Sequence, residues 1–290
     1  MDSQHHDAAA IHVDRNRQSR AGWDSFSEHR ARTTALIEAV GRRLESRTGS
    51  GVERLVLLGV GNGNDVDLPT LVPLFRSTTL VDVDAEAIAH CRSGLPAGIK
   101  ESLDPNVLAD LTGMLGRMPK GDWDAIDWNA WLIDAANPPH ASAPQGDVVV
   151  STCLISQLID TVIQWLPPDH DRFADAILAV RDGHLRLLAG LAKAGGTSVL
   201  ITDVVSSDTL PELADACDDR LPTLVRDSVA SRNFFTGLNP AVLMQRLAAA
   251  AHPSSPSTAI HGPWRWRLGP RTFAVIGITM ETKSADGDSD

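Results

Sequence analysis

Cysteine and tyrosine are scarce in this sequence. It has no tyrosine and three cysteines, Cys91, Cys153 and Cys217, which are far apart and form no CxxC pair. An odd number of isolated cysteines argues against a disulfide framework and against a zinc knuckle. We therefore expect no metal centre, and a chain of 290 residues can bury a large core without crosslinks.

Clusters of positive charge and long apolar runs are also missing. The formal net charge is −11 and no run of Lys and Arg offsets it, so the sequence predicts no nucleic-acid partner. No apolar run approaches the roughly 20 residues needed to cross a bilayer, and the polar start of the chain carries no apolar signal core. These absences predict a cytoplasmic protein without a membrane partner.

The two ends of the chain are polar. Residues 1–15 and 283–290 are predicted to be disordered, because they lack the apolar residues that a packed segment needs. Residues 16–50 carry apolar positions every three to four residues, which predicts a helical N-terminal extension. We expect one domain over residues 51–282.

Beyond residue 50, short apolar runs alternate with helical patterns. This alternation predicts an α/β fold with a doubly wound, mostly parallel sheet and helices on both faces. The last two strand-like runs, 264–268 and 272–280, predict an antiparallel C-terminal hairpin. Five earlier runs complete a predicted seven-stranded sheet, at 53–59, 77–82, 107–111, 147–152 and 197–205.

A glycine-rich segment follows the first predicted strand. Gly59, Gly61 and Gly63 precede a helical stretch, and the next predicted strand ends in Asp82. Glycines here let a ligand approach the main chain, and a carboxylate at the end of the second strand can accept hydrogen bonds from both hydroxyls of a ribose. The combination predicts a nucleoside site. Its GxGxG spacing differs from the dinucleotide fingerprint GxGxxG, since Asn64 stands where the third glycine would be.

The GxGxG spacing and the later Val81-Asp82-Val83-Asp84 resemble the class I S-adenosylmethionine-dependent methyltransferases, over roughly residues 54–280. The resemblance implies a Rossmann-like methyltransferase fold and S-adenosylmethionine as the cofactor. It implies that Asp82 binds the ribose and that Asp110 meets the adenine, although a helix cap explains Asp110 equally well. The cofactor-binding residues that the resemblance implies are Gly59, Val60, Gly61, Asn62, Gly63, Asp82, Val83, Asp84, Asp110, Leu111, Ser151 and Thr152.

Leu57 departs from the pattern of that family. Members usually carry Asp or Glu two residues before the first glycine, where the carboxylate helps to hold the amino group of the cofactor. Asp65 and the N-terminal helix are the candidates to replace it. Without a replacement, we expect weaker cofactor binding or a protein that no longer catalyses.

Polar residues near the ends of the fourth and fifth predicted strands are candidates for the acceptor site. Asp203 can act as a general base or bind a cationic substrate, and it can equally cap a turn. For the aromatic candidates, core packing is as good an explanation as a substrate wall. The predicted substrate residues are Ser156, Gln157, Asp203, Phe234 and Trp264, and no catalytic residue is assigned.

Three residues of the N-terminal helical region lie close to one helix face, Trp23, Phe26 and Arg30. Members of the family often fold such a helix over the cofactor, so these residues predict a lid. The alternative is a helix that simply packs on the sheet.

The preferred hypothesis is a methyltransferase that uses S-adenosylmethionine and acts on a small molecule, as a monomer or a homodimer. One alternative is a non-catalytic nucleoside-binding partner protein with the same fold, and another is an aminopropyltransferase. The segment STCLISQL at 151–158 disfavours the latter, because such enzymes carry an Asp-rich run there for the amine.

Overall fold

Strands and helices alternate along most of the chain, as the sequence predicts. The computed structural model describes residues 8–49, 51–118, 121, 123–140, 143–251 and 256–282. The strands are β1 Val52–Leu58, β2 Phe75–Asp82, β3 Val107–Leu108, β4 Gly146–Thr152, β5 Ala192–Ser206, β6 Ser257–Leu268 and β7 Arg271–Glu281. The α-helices are α1 Ala8–Ser19, α2 Ser27–Thr48, α3 Leu68–Leu71, α4 Ala85–Ser93, α5 Ala97–Glu101, α6 Trp128–Ala136, α7 Leu154–Trp165, α8 Phe173–Leu191, α9 Leu221–Ala230 and α10 Pro240–Ala250.

The seven strands form one sheet in the order β3-β2-β1-β4-β5-β7-β6. The first five strands are parallel, and β7 pairs antiparallel with both β5 and β6. The chain winds outward from β1 through β2 to β3, and then resumes on the other side of β1 with β4. The carboxyl ends of β1 and β4 therefore flank the point where strand order reverses, which is the ligand-binding crevice of open α/β sheets. The predicted doubly wound, mostly parallel seven-stranded sheet with a C-terminal antiparallel hairpin is confirmed.

Residues of β1 show why helices cover both faces of the sheet. Val56 and Leu58 belong to one apolar cluster, and Leu55 and Leu57 belong to another on the opposite face. All four side chains are fully buried. A strand buried on both faces reads as a continuous apolar run, which is why the sequence identified β1 so clearly.

The C-terminal hairpin closes one side of the sheet and receives α2. Ile201 of β5 lies opposite Gly277 of β7, and His261 of β6 lies opposite the same glycine. A Cβ at Gly277 would collide with the side chain of Leu36 on α2. The helix therefore approaches the hairpin closely, and this contact fixes where the N-terminal region lies on the sheet.

Several boundaries differ from the sequence-based expectations. Residues 8–15, which were expected to be disordered, form the first part of α1, while residues 1–7 and 283–290 lie outside the described residues. Helix α9 was not predicted, and β6 begins at Ser257 instead of residue 264. Both β6 and α1 are largely polar, so neither shows an apolar pattern. Across the described parts of the chain, no helix is both long and apolar enough to cross a membrane.

Candidate functional site

A cavity of about 740 Å³ opens at the carboxyl ends of the parallel strands. Its walls come from the loop after β1, the end of β2, the loop after β3, the start of α7, the end of β5, the 233–238 loop and the turn between β6 and β7. Residues of the N-terminal helix α1 also line it. Its size is in the range of small-molecule and cofactor sites, and it lies at the switch point of the sheet.

The loop after β1 has a backbone that only glycine adopts readily. Gly59, Gly61 and Gly63 have φ angles of 69°, 49° and 76°. A Cβ at Gly59 would lie 2.9 Å from the side chain of Leu154, and one at Gly61 would lie 2.7 Å from Oδ1 of Asn16. The glycines thus serve both the left-handed turn and the close approach of neighbouring segments.

Asp82 ends β2 directly beneath this loop. Its Oδ2 accepts a hydrogen bond from the backbone N–H of Gly61 at 2.8 Å, and its Oδ1 accepts one from the N–H of Asp84 at 2.9 Å. Burial raises the pKa of Asp82, and these N–H bonds offset part of that effect. The carboxylate lines the cavity, and each oxygen can accept a second hydrogen bond.

Eight of the twelve predicted cofactor residues line the cavity, and their binding role stays a prediction. They are Gly59, Val60, Gly61, Asn62, Asp82, Val83, Asp110 and Leu111. Asp110 is also engaged in its own turn, where Oδ1 accepts from the N–H and hydroxyl of Thr112 and Oδ2 accepts from the N–H of Leu115. Asp110 thus closes a local turn without being the N-cap of a helix, and its proposed contact with the adenine stays a prediction.

The other four predicted cofactor residues do not line the cavity. Gly63 packs against Cys91, whose Sγ would meet a Cβ at that position. Asp84 is the N-cap of α4, where its Oδ1 accepts from the N–H groups of Glu86 and Ala87. In each case local structure uses the group that was expected to face the ligand.

Ser151 and Thr152 are turned away from the cavity as well. Both side chains are buried, and Oγ of Ser151 lies 2.8 Å from Nε2 of His184. Burial lowers the pKa of His184 to about 4. Thr152 donates to the carbonyl of Gly59 at 3.4 Å. The residue that reaches the cavity at this strand end is Cys153, which has a φ of 48° and follows the strand directly.

The N-terminal segment is hydrogen bonded to the glycine loop. Nδ2 of Asn62 donates to the carbonyl of Asn16 at 2.6 Å and to Oγ of Ser19 at 3.0 Å. Nδ2 of Asn64 donates to the carbonyl of Ser19 at 2.9 Å. The α1 residues at the cavity wall are His12, Arg15, Asn16, Gln18 and Ser19. Sequence reasoning missed them, because the only signal was the pair of asparagines between the glycines.

The predicted lid residues divide into two groups. Phe26 is buried, lines the cavity and packs on Trp266 with 5.0 Å between ring centroids. Trp23 is 47% exposed and does not line the cavity, and the guanidinium of Arg30 lies 3.5 Å from its ring centroid. Arg30 also donates to the carbonyl of Asn64, so it braces the loop from outside. Trp23 and Arg30 therefore lie outside the cavity wall, and their role as part of a lid stays a prediction.

Four of the five predicted substrate residues lie at the cavity wall, and one does not. Ser156, Gln157, Asp203 and Phe234 line the cavity. Trp264 does not, because it is buried deeper along β6, and its indole N–H donates to Nδ1 of His29 at 3.1 Å. Since β6 runs toward the cavity only at its C-terminal end, Trp266 and Leu268 take that place at the wall.

Asp203 is a buried acid with a free oxygen. It is 7% exposed, and its Oδ1 has no hydrogen-bond partner among the residues that the structure describes. Burial raises the pKa of Asp203, whereas the neighbouring Ser156 hydroxyl and the charge of Arg271 act in the opposite direction. Asp203 thus combines a raised pKa with an unpaired buried oxygen at the cavity wall, and its role as a general base stays a prediction.

His29, Asp65 and Cys153 form a cluster that the sequence did not predict as a unit. Nε2 of His29 lies 3.0 Å from Oδ1 of Asp65 and 3.9 Å from Sγ of Cys153, and the three ligand atoms lie within 4.8 Å of one another. The indole N–H of Trp264 is a donor only, so Nδ1 of His29 must accept and Nε2 carries the proton. Nε2 therefore donates to Asp65.

That proton arrangement decides what the cluster can do. With its proton in place, Nε2 of His29 has no lone pair for a metal ion or for the thiol of Cys153. A nucleophilic triad would also need the acid on the far nitrogen, whereas Asp65 and Cys153 approach the same one. Burial raises the pKa of Cys153 well above its usual value, which keeps the thiol protonated. The cluster therefore serves to fix the position of the Asp65 carboxylate.

No protein-family model and no curated protein matches this chain. Among solved structures it is similar to an O-methyltransferase family protein from Burkholderia thailandensis, with 15% identity and a TM-score of 0.43 over 96% of this chain and 60% of that protein. It is similar to the plantazolicin methyltransferase BamL in complex with a triazolic desmethylPZN analog and SAH, with 11% identity and a TM-score of 0.46 over 95% and 98%. It is also similar to human N-acetylserotonin methyltransferase in complex with SAM, with 12% identity and a TM-score of 0.37 over 80% and 48%. The chain thus spans less than two thirds of the first and the third of these proteins.

Proposed function

We propose that this protein is an S-adenosylmethionine-dependent methyltransferase that acts on a small molecule. The observation that carries the proposal is the bond between Asp82 and the N–H of Gly61, at the switch point of the sheet and on the wall of the cavity. This bond connects two features of the site. One is a carboxylate that can accept hydrogen bonds from ribose hydroxyls, and the other is a glycine turn that lets a ligand approach the main chain.

The residues present suit a nucleoside carrying an amino-acid tail. Asp82 has acceptor capacity left for two ribose hydroxyls, and Val83 and Leu111 offer apolar surface to a base. The glycine loop leaves space beside the main chain for the tail. When bound, S-adenosylmethionine supplies an electrophilic methyl group on a sulfonium. The protein contributes position and exclusion of water, which account for much of the rate in such transfers.

The acceptor half of the cavity combines aromatic walls with few polar groups. Phe234, Phe235 and Trp266 supply the walls, and Ser156 and Asp203 supply the polar groups. An acceptor with a planar apolar body and one hydroxyl or amine suits this surface. Asp203 would then take the proton that leaves the acceptor as its oxygen or nitrogen gains the methyl group.

A non-catalytic nucleoside-binding protein is the second candidate, and Leu57 is the observation that favours it. The side chain is fully buried in the apolar cluster on the α2 face, at a position where the methyltransferase resemblance implies an acid. Binding without turnover distinguishes this candidate from the first.

Calorimetry of the purified protein with S-adenosylmethionine, S-adenosylhomocysteine and NAD tests the proposal. We expect micromolar binding of the two sulfur nucleosides and none of NAD. A panel of phenols and amines, followed by mass spectrometry for a gain of one methyl group, then tests turnover. Failure to bind either sulfur nucleoside would overturn both candidates, and binding without any methylated product would favour the second.

A further inference from the structure

Asp65 places a carboxylate at the wall of the cavity beside the glycine loop, and the function proposed above gives it no role. Its side chain is 15% exposed. It lines the cavity together with Gly59, Gly61 and Cys153. A partly buried carboxylate at a ligand cavity needs either a structural partner or a ligand to offset its desolvation.

A chain of hydrogen bonds from two other elements fixes this carboxylate in place. Trp264 of β6 donates to Nδ1 of His29 on α2 at 3.1 Å, and Nε2 of His29 donates to Oδ1 of Asp65 at 3.0 Å. His29 is fully buried, and its ring stacks on Trp266 with 4.7 Å between centroids. Both ring nitrogens are satisfied, so the histidine has no freedom to turn, and Oδ1 of Asp65 is held on one side.

The second oxygen of Asp65 is free for a ligand. No hydrogen-bond partner for Oδ2 occurs in the described parts of the chain, where the only bond of this carboxylate is the one to His29. Arg30 is the nearby cation, but its guanidinium lies on the ring of Trp23 and donates to backbone carbonyls. The carboxylate therefore keeps a charge and an acceptor that the protein itself does not use.

Comparison with the other acids at the cavity wall singles out Asp65. Asp82 and Asp110 each accept from backbone N–H groups with both oxygens, and Asp160 is paired with Arg15. Asp203 has a free oxygen, but it lies at the end of β5 with Ser156, on the acceptor side. Of the acids that line the described cavity, Asp65 is thus the one with a free oxygen at the glycine loop.

We propose that Asp65 binds the ammonium group on the amino-acid end of the cofactor, with His29 and Trp264 as its positioning residues. This inference rests on the proposed function, since the ammonium group belongs to S-adenosylmethionine. The ammonium has three donors and a full charge, and a single fixed carboxylate oxygen within hydrogen-bond reach matches it. Asp65, in the loop after β1, then takes the place of the acid that the resemblance implies at position 57. An apolar Leu57 is therefore compatible with cofactor binding.

Calorimetry with two ligands separates this role from a structural one. S-adenosylhomocysteine carries the amino-acid end, and 5′-methylthioadenosine has the same nucleoside without it. Asp65→Asn should weaken S-adenosylhomocysteine at least tenfold, because a hydrogen bond to a charged group is lost, and should leave 5′-methylthioadenosine within twofold. Asp67→Asn is the matched control, because Asp67 accepts from Thr70 and does not line the cavity. It should change neither affinity.

Two further measurements keep the inference testable if Asp65→Asn folds poorly. Trp264→Phe removes the donor to His29 and keeps an aromatic ring, so it should weaken S-adenosylhomocysteine by a smaller factor and again spare 5′-methylthioadenosine. The unaltered protein should bind a deaminated analogue of S-adenosylhomocysteine at least tenfold more weakly than the parent.

The outcomes are distinct for the two proposals. If the unaltered protein binds neither nucleoside, the proposed function itself is wrong. If it binds both and Asp65→Asn binds S-adenosylhomocysteine equally well, or loses both ligands by the same factor, the role of Asp65 is overturned. Equal affinity for the deaminated analogue would overturn it as well.

Discussion

The side-chain amide of Asn62 donates a hydrogen bond of 2.6 Å to the backbone carbonyl of Asn16. The glycine loop and the N-terminal helix are therefore joined directly, at the mouth of the cavity. A second bond from the same amide to Ser19 strengthens the junction. Because the bonds start from a loop residue that faces the ligand site, binding at the loop and order in α1 should depend on each other.

Removing this junction should loosen α1 while leaving the rest of the fold intact. Asn62→Ala loses two hydrogen bonds, which together contribute about 1–3 kcal/mol to keeping the segment closed. Hydrogen exchange should then rise over Ala8–Ser19, and affinity for S-adenosylhomocysteine should fall severalfold. Asn137→Ala is the control, since its amide bonds only within its own helix end. Unchanged exchange over α1 in the Asn62 variant would show that packing, and not the junction, holds the helix.

Asp82 and Asp84 should behave differently although they are two residues apart. Asp82 lines the cavity, whereas Asp84 caps α4 with its side chain. Asp82→Asn should weaken S-adenosylmethionine more than tenfold, since a charged acceptor for ribose hydroxyls is lost. Asp84→Asn should cost much less affinity, because Asn is an equally good N-cap and only the bond that Asn16 donates to Oδ2 of Asp84 is lost. Titration calorimetry checks both, and a larger loss in the Asp84 variant would contradict the placement of the ribose.

Much of the sheet was predictable because its strands are buried on both faces. Continuous apolar runs such as 53–59 and 147–152 are easy to recognise in the sequence, and both correspond to parallel strands beside the switch point. Only one residue of the edge strand β6 is buried, so its first seven residues carry no continuous apolar run. Helix α1 is also largely polar, and its order depends on contacts with Asn62, Asn64 and Asp84 that lie far along the chain.

The candidate site was predictable where the backbone decides the residue type. Gly59, Gly61 and Asp82 could be placed from the sequence, because a left-handed turn and a strand end leave few choices. The orientation of a side chain at a strand end is decided by its neighbours instead. Ser151 was expected to face the ligand, but its hydroxyl is hydrogen bonded to His184. His184 lies on α8, and the sequence does not show where that helix packs on the sheet. The assembly of His29, Asp65 and Trp264 needed three separate elements, so no local pattern revealed it.

The burial of Asp203 should make stability depend on pH in a specific direction. Burial raises the pKa of Asp203 in the folded state above the ordinary 3.8. The folded protein thus holds this proton more tightly than the unfolded chain, so the associated stability is present below the ordinary pKa and is lost as the pH rises through the folded-state pKa.

Asp203→Asn removes the charge at every pH and leaves the shape of the side chain unchanged. We expect its melting temperature to exceed that of the unaltered protein at pH 8 and to approach it at pH 3.5. Asp169→Asn, at an exposed position, serves as the control and should change the melting temperature little at either pH. Thermal unfolding followed by circular dichroism gives both curves. A difference that does not vary with pH would mean that the buried carboxyl is not the cause.

Leu57 provides the sharpest test of where the negative charge for the cofactor lies. Its side chain is fully buried among apolar residues on the α2 face and does not line the cavity, so an acid there would be desolvated without a partner. Leu57→Asp should therefore lose several kcal/mol of stability in urea unfolding, whereas Leu57→Met, which keeps the volume and the apolar character, should lose less than about 1.5 kcal/mol. Neither change should improve affinity for S-adenosylhomocysteine. If Leu57→Asp instead folds normally and binds the ligand more tightly, position 57 reaches the amino group after all, and Asp65 is not the acid that replaces it.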